Sequence, residues 1–466
     1  MKKVSSLIAA VALMIGATCT TVSAAPKKNA PKMKDWTVAV FLNADNNLDP
    51  FGVEDQEEMA RVGSSEFLNI VTLIDREHGP AQINYIEKNK IKKIKDMGEL
   101  DMGDYKELVK FCKFIKENYP AKHYSIGLWN HGSGWKAKTD KNVVRGISYD
   151  DSSNNHITTN ELTIATKLCS EALGQKIDII NMDACLMGMV EVSHAIKDNC
   201  CYFIGSEEVE PGKGAPYDDV LKGLKAGMSP KDFASHWIDA FAKSYQNGSQ
   251  GRDDSTQSAI DLSKIDALND ALNGFAKAVM SGKYADKVQT AVAKTVKFEY
   301  PENIDLIHFV KNFKALCSGD TSINTACDKV VSAAKAAVVN NKTTSRSSNN
   351  RYKNCEGIAI YLPGRFGMES KYLDLGFSKD TMWDDMILSL RTQRACADTV
   401  AGVKKGNFKG LKSAISEAKK NPRSQYARAL LRDLNNAAYV EKAVPAKDQA
   451  EFDRLFNNLK SALKAR

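Results

Sequence analysis

Two apolar runs of this sequence stop at side chains that can do covalent chemistry. Residues 124–129 lead into Asn130-His131-Gly132-Ser133-Gly134-Trp135, and residues 177–182 lead into Asp183-Ala184-Cys185. A thiolate at Cys185 is a nucleophile for a carbonyl carbon, an imidazole at His131 can protonate the departing amine, and N–H groups near Gly132 can receive the developing oxyanion. Glycine suits that last task because it lets the backbone approach a substrate oxygen closely. A helix starting just after Cys185 is predicted to favour the thiolate with its first free N–H groups. Taken singly, such a cysteine is ordinarily a small buried apolar residue and such a histidine an ordinary loop residue. Placed together at strand ends, histidine first, they outline a peptide-bond hydrolase.

The elements that must position them alternate. Strand-like runs at 36–42, 70–75, 124–129, 177–183 and 202–205 are separated by helical patterns at 52–62, 104–118 and 159–173, and by one carrying Met189, Val192 and Ile196 on a face. This alternation predicts an α/β fold, a mostly parallel sheet flanked by helices. The carboxyl ends of parallel strands share one edge, so the fifty-four positions between His131 and Cys185 are no obstacle to their meeting. Later strands are expected at 258–262 and 357–362, extending the sheet, and helices at 230–246, 264–280 and 284–296. Periodicity is lost at 136–156, read as an exposed polar loop, and 340–350 reads as a flexible connection. Residues 206–217 form a strand-end loop rich in acids and turn formers. From 398 to 466 strands disappear in favour of lysine-rich helices. The last of these places Phe452, Leu455, Phe456, Leu459 and Leu463 on one docking face, which predicts a small C-terminal helical subdomain.

Residues 1–24 read as a signal peptide: Lys2 and Lys3, an apolar run at 7–17, then Val22-Ser23-Ala24 at the cleavage position. The expected product begins at Ala25 and is exported, either periplasmic or secreted. Cys19, after Gly16-Ala17-Thr18, fits a lipid-attachment site poorly. No later stretch approaches about 18 consecutive apolar residues, so no transmembrane segment is expected. The net charge of +8 falls to +6 without the two leader lysines and is spread along the chain, which gives no reason to expect a nucleic-acid partner. Ten cysteines become nine without Cys19, an odd number that leaves at least one free thiol unless chains pair. Cys317 and Cys327 are close enough in sequence to close a short disulfide loop, and Cys200-Cys201 can reach distant partners, with connectivity open. No cluster has zinc-ligand spacing, so no metal is assigned.

The two strand-end motifs, Asn130-His131-Gly132-Ser133-Gly134-Trp135 and Asn181-Met182-Asp183-Ala184-Cys185-Leu186-Met187, resemble the clostripain family of cysteine peptidases, which share a caspase-like fold with gingipains and legumains. The resemblance extends to Asp45-Asn46-Asn47-Leu48, Gly146-Ile147-Ser148-Tyr149-Asp150-Asp151 and Glu210-Pro211-Gly212, and spans roughly 35–390. It implies a His131/Cys185 dyad, an oxyanion hole from the amides of Gly132 and Cys185, and cleavage after Arg or Lys in protein or peptide substrates. Asp183 matches the family's acidic residue at the base of the first specificity pocket; a structural carboxylate is the alternative there. The family's Gly-Trp after Glu-Pro-Gly is replaced by Lys213-Gly214-Ala215-Pro216-Tyr217, which alters the pocket wall; Glu207, Glu208 and Glu210 are candidates to assist cation binding, with a solvated acidic loop the expected role for most of them. The resemblance also implies self-cleavage between His131 and Cys185, with Arg145 the preferred site and Lys136, Lys138 and Lys141 the alternatives. Calcium is needed by some members; residues 45–49 lack the glycine and terminal glutamate of an EF-hand loop, so calcium stays open as a cofactor. Domain boundaries are expected at 25–397 for the peptidase and 398–466 for the helical subdomain. The competing readings are a caspase-fold peptidase of another P1 specificity and an inactive binding or scaffold relative.

Overall fold

The computed structural model describes residues 31–136, 146–421, 423–435 and 444–464. From the N-terminus the chain runs β1 (Lys34–Ala44), α1 (Asp49–Val62), β2 (Leu68–Arg76), β3 (Ala81–Glu87), β4 (Lys90–Gly98), α2 (Tyr105–Asn118), β5 (Ala121–Trp129), a hairpin of β6 (Ile147–Asp150) and β7 (Asn155–Ile157), α3 (Thr159–Leu173), β8 (Ile177–Asp183), α4 (Val190–Ile196) and β9 (Cys200–Gly205). It continues through α5 (Tyr217–Gly223), α6 (Pro230–Ser244), a short hairpin of β10 (Gln246–Gly248) and β11 (Gly251–Arg252), β12 (Ser255–Asp261), α7 (Ile265–Met280), α8 (Ala285–Lys294), β13 (Asn303–Asp305) and α9 (Leu306–Leu316). Next come α10 (Thr321–Ala337), β14 (Val338–Thr344), β15 (Ala359–Tyr361), α11 (Gly376–Asp380) and α12 (Trp383–Lys404). Helices α13 (Lys409–Lys420), α14 (Gln425–Asn435) and α15 (Gln449–Lys464) follow.

Nine strands form one sheet in the order β14-β12-β9-β8-β5-β1-β2-β3-β4. Its centre, from β9 to β2, is parallel, and antiparallel strands flank it on both sides. The period-two geometry of β1 divides its side chains between two cores. Trp36, Val38, Val40 and Leu42 pack with α1, α5 and α6, while Ala39 and Phe41 pack on the opposite face with α2 and α3. A fully buried aromatic such as Phe41 is worth about 3–5 kcal/mol against alanine, so each face is anchored by a few such residues. Thr158 and Glu161 close a reciprocal capping box at the start of α3.

Several expectations change. The polar stretch 136–156 contains β6, all four residues of which are buried, because Tyr149 and Ser148 face the ends of β1 and β5 instead of solvent. Residues 338–344, overlapping the supposed flexible connection, pair antiparallel with β12 as the sheet's edge strand; an edge needs polar side chains on its open side. The apolar run at 357–362 does not join the sheet, since β15 pairs with β13 and bridges Met189 to Ala359. The hairpin β3–β4, not anticipated, ends the sheet with a strand exposed along nearly its whole length and rich in lysine, a composition that discourages further pairing. The boundary expected at 397/398 falls inside α12, whose Cys396 and Val403 seed a third core with α13, α14 and α15.

All nine described cysteines are free thiols, including Cys317, Cys327, Cys200 and Cys201. Cys317 and Cys327, close enough in sequence for a short loop, are instead free thiols buried at the end of α9 and in α10 as small apolar residues. Under denaturing, non-reducing conditions the mature chain should therefore take up nine maleimides. A lower count that rises after reductant would contradict this packing.

Candidate active site

The register of two parallel strands builds the site. Trp129 of β5 pairs with Asp183 of β8, so His131 and Cys185 each emerge two residues beyond the last matched pair. The Asn130 N–H donates to the Asp183 carbonyl at 3.2 Å and extends that alignment past the sheet. At Gly132 a Cβ would lie 2.4 Å from the Cys185 carbonyl oxygen and 3.1 Å from its nitrogen. Only glycine lets these two main chains touch, and the contact brings the amides expected to form the oxyanion hole into one small region.

Asn130, to which sequence reasoning gave no role, ties the strand ends together. Its Nδ2 donates to the carbonyls of Asn43 at 2.6 Å and Tyr149 at 2.9 Å, while its Oδ1 accepts from the N–H groups of His131 and Tyr149. His131 Nε2 lies 2.7 Å from Asn47 Oδ1. With that oxygen accepting, Nε2 carries the proton and Nδ1 is the basic nitrogen. The loop beyond His131 is pinned at three points. Ser133 exchanges hydrogen bonds with Gly146, Trp135 sits edge-on to Tyr361 and Tyr372, and Lys136 is buried between Glu302 and Glu369 over the Tyr300 ring. Lys136, considered above as a processing site, is thus only 4% exposed and not presented for cleavage. Arg145, Lys138 and Lys141 lie outside the described residues. Gly146 has φ of 117°, and a Cβ there would meet the Ile157 carbonyl at 2.5 Å, so glycine is required at this position.

The predicted helix after the nucleophile starts only at Val190, following a left-handed Leu186, so Cys185 does not lie in its first turn. The thiol takes its favourable contact from the Glu210 backbone N–H instead. Burial outweighs this, and together with the nearby Asp183 and Glu208 carboxylates it pushes the Cys185 thiol above its ordinary range. Burial lowers His131, opposed by Asp151. Burial thus favours the uncharged form of each of these two side chains.

Beside Cys185 lies a set of buried acids. Asp183 accepts hydrogen bonds from the Ala215 N–H at 3.2 Å and the Tyr217 hydroxyl at 2.9 Å. Gly214, in the left-handed region at φ of 58°, lies so close that a Cβ would stand 2.9 Å from Asp183 Oδ1. Gly214 thus lets this wall fold onto the carboxylate. Glu207, Glu208 and Glu210 are all buried, which overturns the solvated-loop expectation: the Ser206 and Glu208 carbonyls accept the Gly188 and Leu186 N–H groups and draw the segment inward. Glu210 Oε1 accepts from Gln257, but Oε2 has no partner. Asp55, not foreseen, accepts from the Trp129 indole at 2.6 Å. Each hydrogen bond to Asp183 and Glu210 comes from a neutral donor. Burial pushes both acids up, most strongly Glu210, which also faces the Asp183 charge.

The family model of the clostripain family matches residues 40–390. Clostripain of Hathewaya histolytica is 27% identical over 303 residues, which are 54% of this chain and 57% of the relative, so the chain spans little more than half of that protein. A secreted C11 cysteine protease from Bacteroides thetaiotaomicron, solved with an irreversible peptide inhibitor, superposes with a TM-score of 0.59 at 23% identity over 75% of this chain and 99% of that one. An inactive zymogen C11 protease from Parabacteroides distasonis superposes with a TM-score of 0.55 at 19% identity, over the same shares of the two chains. These structures share the mixed sheet and its flanking helices.

The raised thiol has a measurable signature. Alkylation of Cys185 by iodoacetamide without substrate, followed by mass spectrometry of its peptide, should rise with a midpoint above that of an ordinary cysteine thiol. His131→Ala should leave that midpoint in place. A midpoint in the acid range, lost in His131→Ala, would mean a preformed thiolate–imidazolium pair.

Proposed function

The chain belongs to the clostripain family of cysteine peptidases, and from that premise we propose that it is an exported endopeptidase cleaving after arginine or lysine through His131 and Cys185. The observation carrying this reading is the Asp183–Glu210 pair: two buried carboxylates beside the nucleophile, with only neutral donors and one orphaned oxygen. With no cation present, burial favours the protonated acids, and an entering guanidinium or ammonium supplies the partner that lets the pair ionise. Glu210 thereby joins Asp183 as a specificity residue.

With the basic side chain held there, the scissile carbonyl lies at Cys185. The thiol proton passes to His131 Nδ1 as sulfur attacks the carbonyl carbon. The oxyanion is received by the amides of Gly132 and Cys185, the Gly132 contact fixing their separation. His131 returns the proton to the leaving amine as the C–N bond breaks, leaving a thioester. Water then attacks the thioester with His131 as base, the C–S bond breaks, and the thiol regains its proton. Asn47 holds the imidazole so that Nδ1 remains the acceptor during both steps.

Self-cleavage after Arg145 fits the same specificity. It would leave Gly146 at a new N-terminus that Ser133 already holds against the His131 loop. The signal peptide at 1–24 agrees with export, and residues 398–466 add helices to the third core.

Against matched peptides ending in Arg, Lys or a neutral residue, kcat/KM should favour the basic ones. Asp183→Asn and Glu210→Gln should each lower it by at least about 100-fold for basic peptides, within the 2–5 kcal/mol typical of breaking a buried charge pair. Wild type should resolve into two chains on a denaturing gel, while Cys185→Ala stays whole. Equal rates on neutral peptides, or full activity in an uncleaved chain, would sink the corresponding part of the reading.

A further inference from the structure

A second set of buried groups lies behind the wall that carries Glu210. Glu207, Asp305 and Cys355 come from three separate segments, yet their ligand atoms lie within 4.8 Å of one another and all three residues are buried. Glu207 is only 1% exposed, and neither of its carboxylate oxygens makes a well-formed hydrogen bond, its polar neighbours being the Gly357 N–H and the Asp305 carboxylate. Asp305 accepts from the N–H groups of His308 and Glu356, one on each oxygen, which fixes its carboxylate and leaves further lone pairs. The backbone of Cys355 is held by Tyr352 and Asn341. The nearby Arg351 guanidinium is committed to Glu208 at 3.0 Å and does not neutralise the trio.

We propose that Glu207, Asp305 and Cys355 form a structural site for a zinc-class divalent cation. A thiolate with two carboxylates suits a borderline metal better than calcium, which takes oxygen ligands only. A tetrahedral zinc ion places its ligand atoms about 3.5 Å apart, so the three side chains need close by only about an ångström, with water as the fourth ligand. Loading replaces the thiol proton and the Glu207 proton with one dication, so two protons leave and the buried charge is unchanged. Full burial implies loading during folding. The metal would join the segment after β9, the N-cap of α9 and the turn before β15. The first of these supplies the Ser206 and Glu208 carbonyls that hold Gly188 and Leu186 behind the nucleophile, so the site would stiffen the substrate wall from outside the dyad. The rival is an acid pair in which Glu207 and Asp305 share a proton and no metal enters.

The test uses the full chain carrying Cys185→Ala, so that neither processing nor the active-site thiol interferes, refolded with Zn2+ and dialysed. One equivalent of zinc per chain is expected by elemental analysis, with Tm higher than that of protein refolded without metal. Refolding with Co2+ should give a thiolate-to-cobalt charge-transfer band that disappears in Cys355→Ser. Glu207→Gln, close in shape, should weaken zinc affinity by at least about tenfold, the lower end of what even outer-shell changes cost. Calcium added in excess should not displace the retained zinc. Parent protein without retained zinc overturns the proposal whatever the variants do. So does zinc content unchanged by Glu207→Gln, even if Cys355→Ser fails to fold.

Discussion

The parallel pairing of β5 with β8 is the constraint on which the site depends. Trp129 opposite Asp183 sets the height at which both strands leave the sheet, and everything reactive is measured from that line. A slip of one residue would reverse the faces of a whole strand, exchanging the residues that pack on α2 and α3 for those that pack on α1 and α6. The two large cores therefore enforce the register more strongly than local hydrogen bonds could. Beyond the last pair, Asn130 takes over, binding Asn43, His131 and Tyr149 at once, so the strand ends of β1, β5 and β6 move as one unit.

From this frame the site grows by close approach. Gly132 against Cys185 and Gly214 against Asp183 are both places where a single Cβ would push apart groups that must meet. Gly188 belongs to the same set, since a Cβ there would stand 2.9 Å from the Glu207 nitrogen and separate the nucleophile turn from the acidic wall. These contacts hold the oxyanion amides, the thiol and the Asp183–Glu210 pair in fixed relation without a helix directed at the sulfur.

His131 and Cys185 were readable as candidates because chemistry and local pattern coincided: an apolar run ending just before each, and each within a motif that resembles one family. Alternation of strand and helix likewise indicated the parallel centre of the sheet. What escaped was set by contacts distant in sequence. β14 is polar and became a strand because β12 presented an edge; β6 is buried because Asn43 donates to its Ser148 hydroxyl and Asn130 both donates to and accepts from its Tyr149 backbone. The acidity of 207–210 suggested solvent, whereas the hydrogen bonds of Ser206 and Glu208 to the nucleophile turn pull those side chains inside. Asp55 reaches the acidic set through the Trp129 indole, seventy-four positions away. No local signal marked it.

Under the proposed function the acids impose a compromise on the dyad. A pocket for a basic side chain would keep carboxylates next to the Cys185 thiol, and those carboxylates raise the energy of its thiolate. Removing them would ease ionisation of Cys185 and relieve buried charge, but would leave an arriving cation unpaired at a cost of several kcal/mol. The arrangement resolves the conflict by placing the Glu210 N–H at the sulfur while its side chain turns to Asp183, so one residue serves both needs. The same geometry favours the protonated thiol. In the proposed mechanism this withholds the thiolate until a carbonyl lies against it and His131 can take the proton.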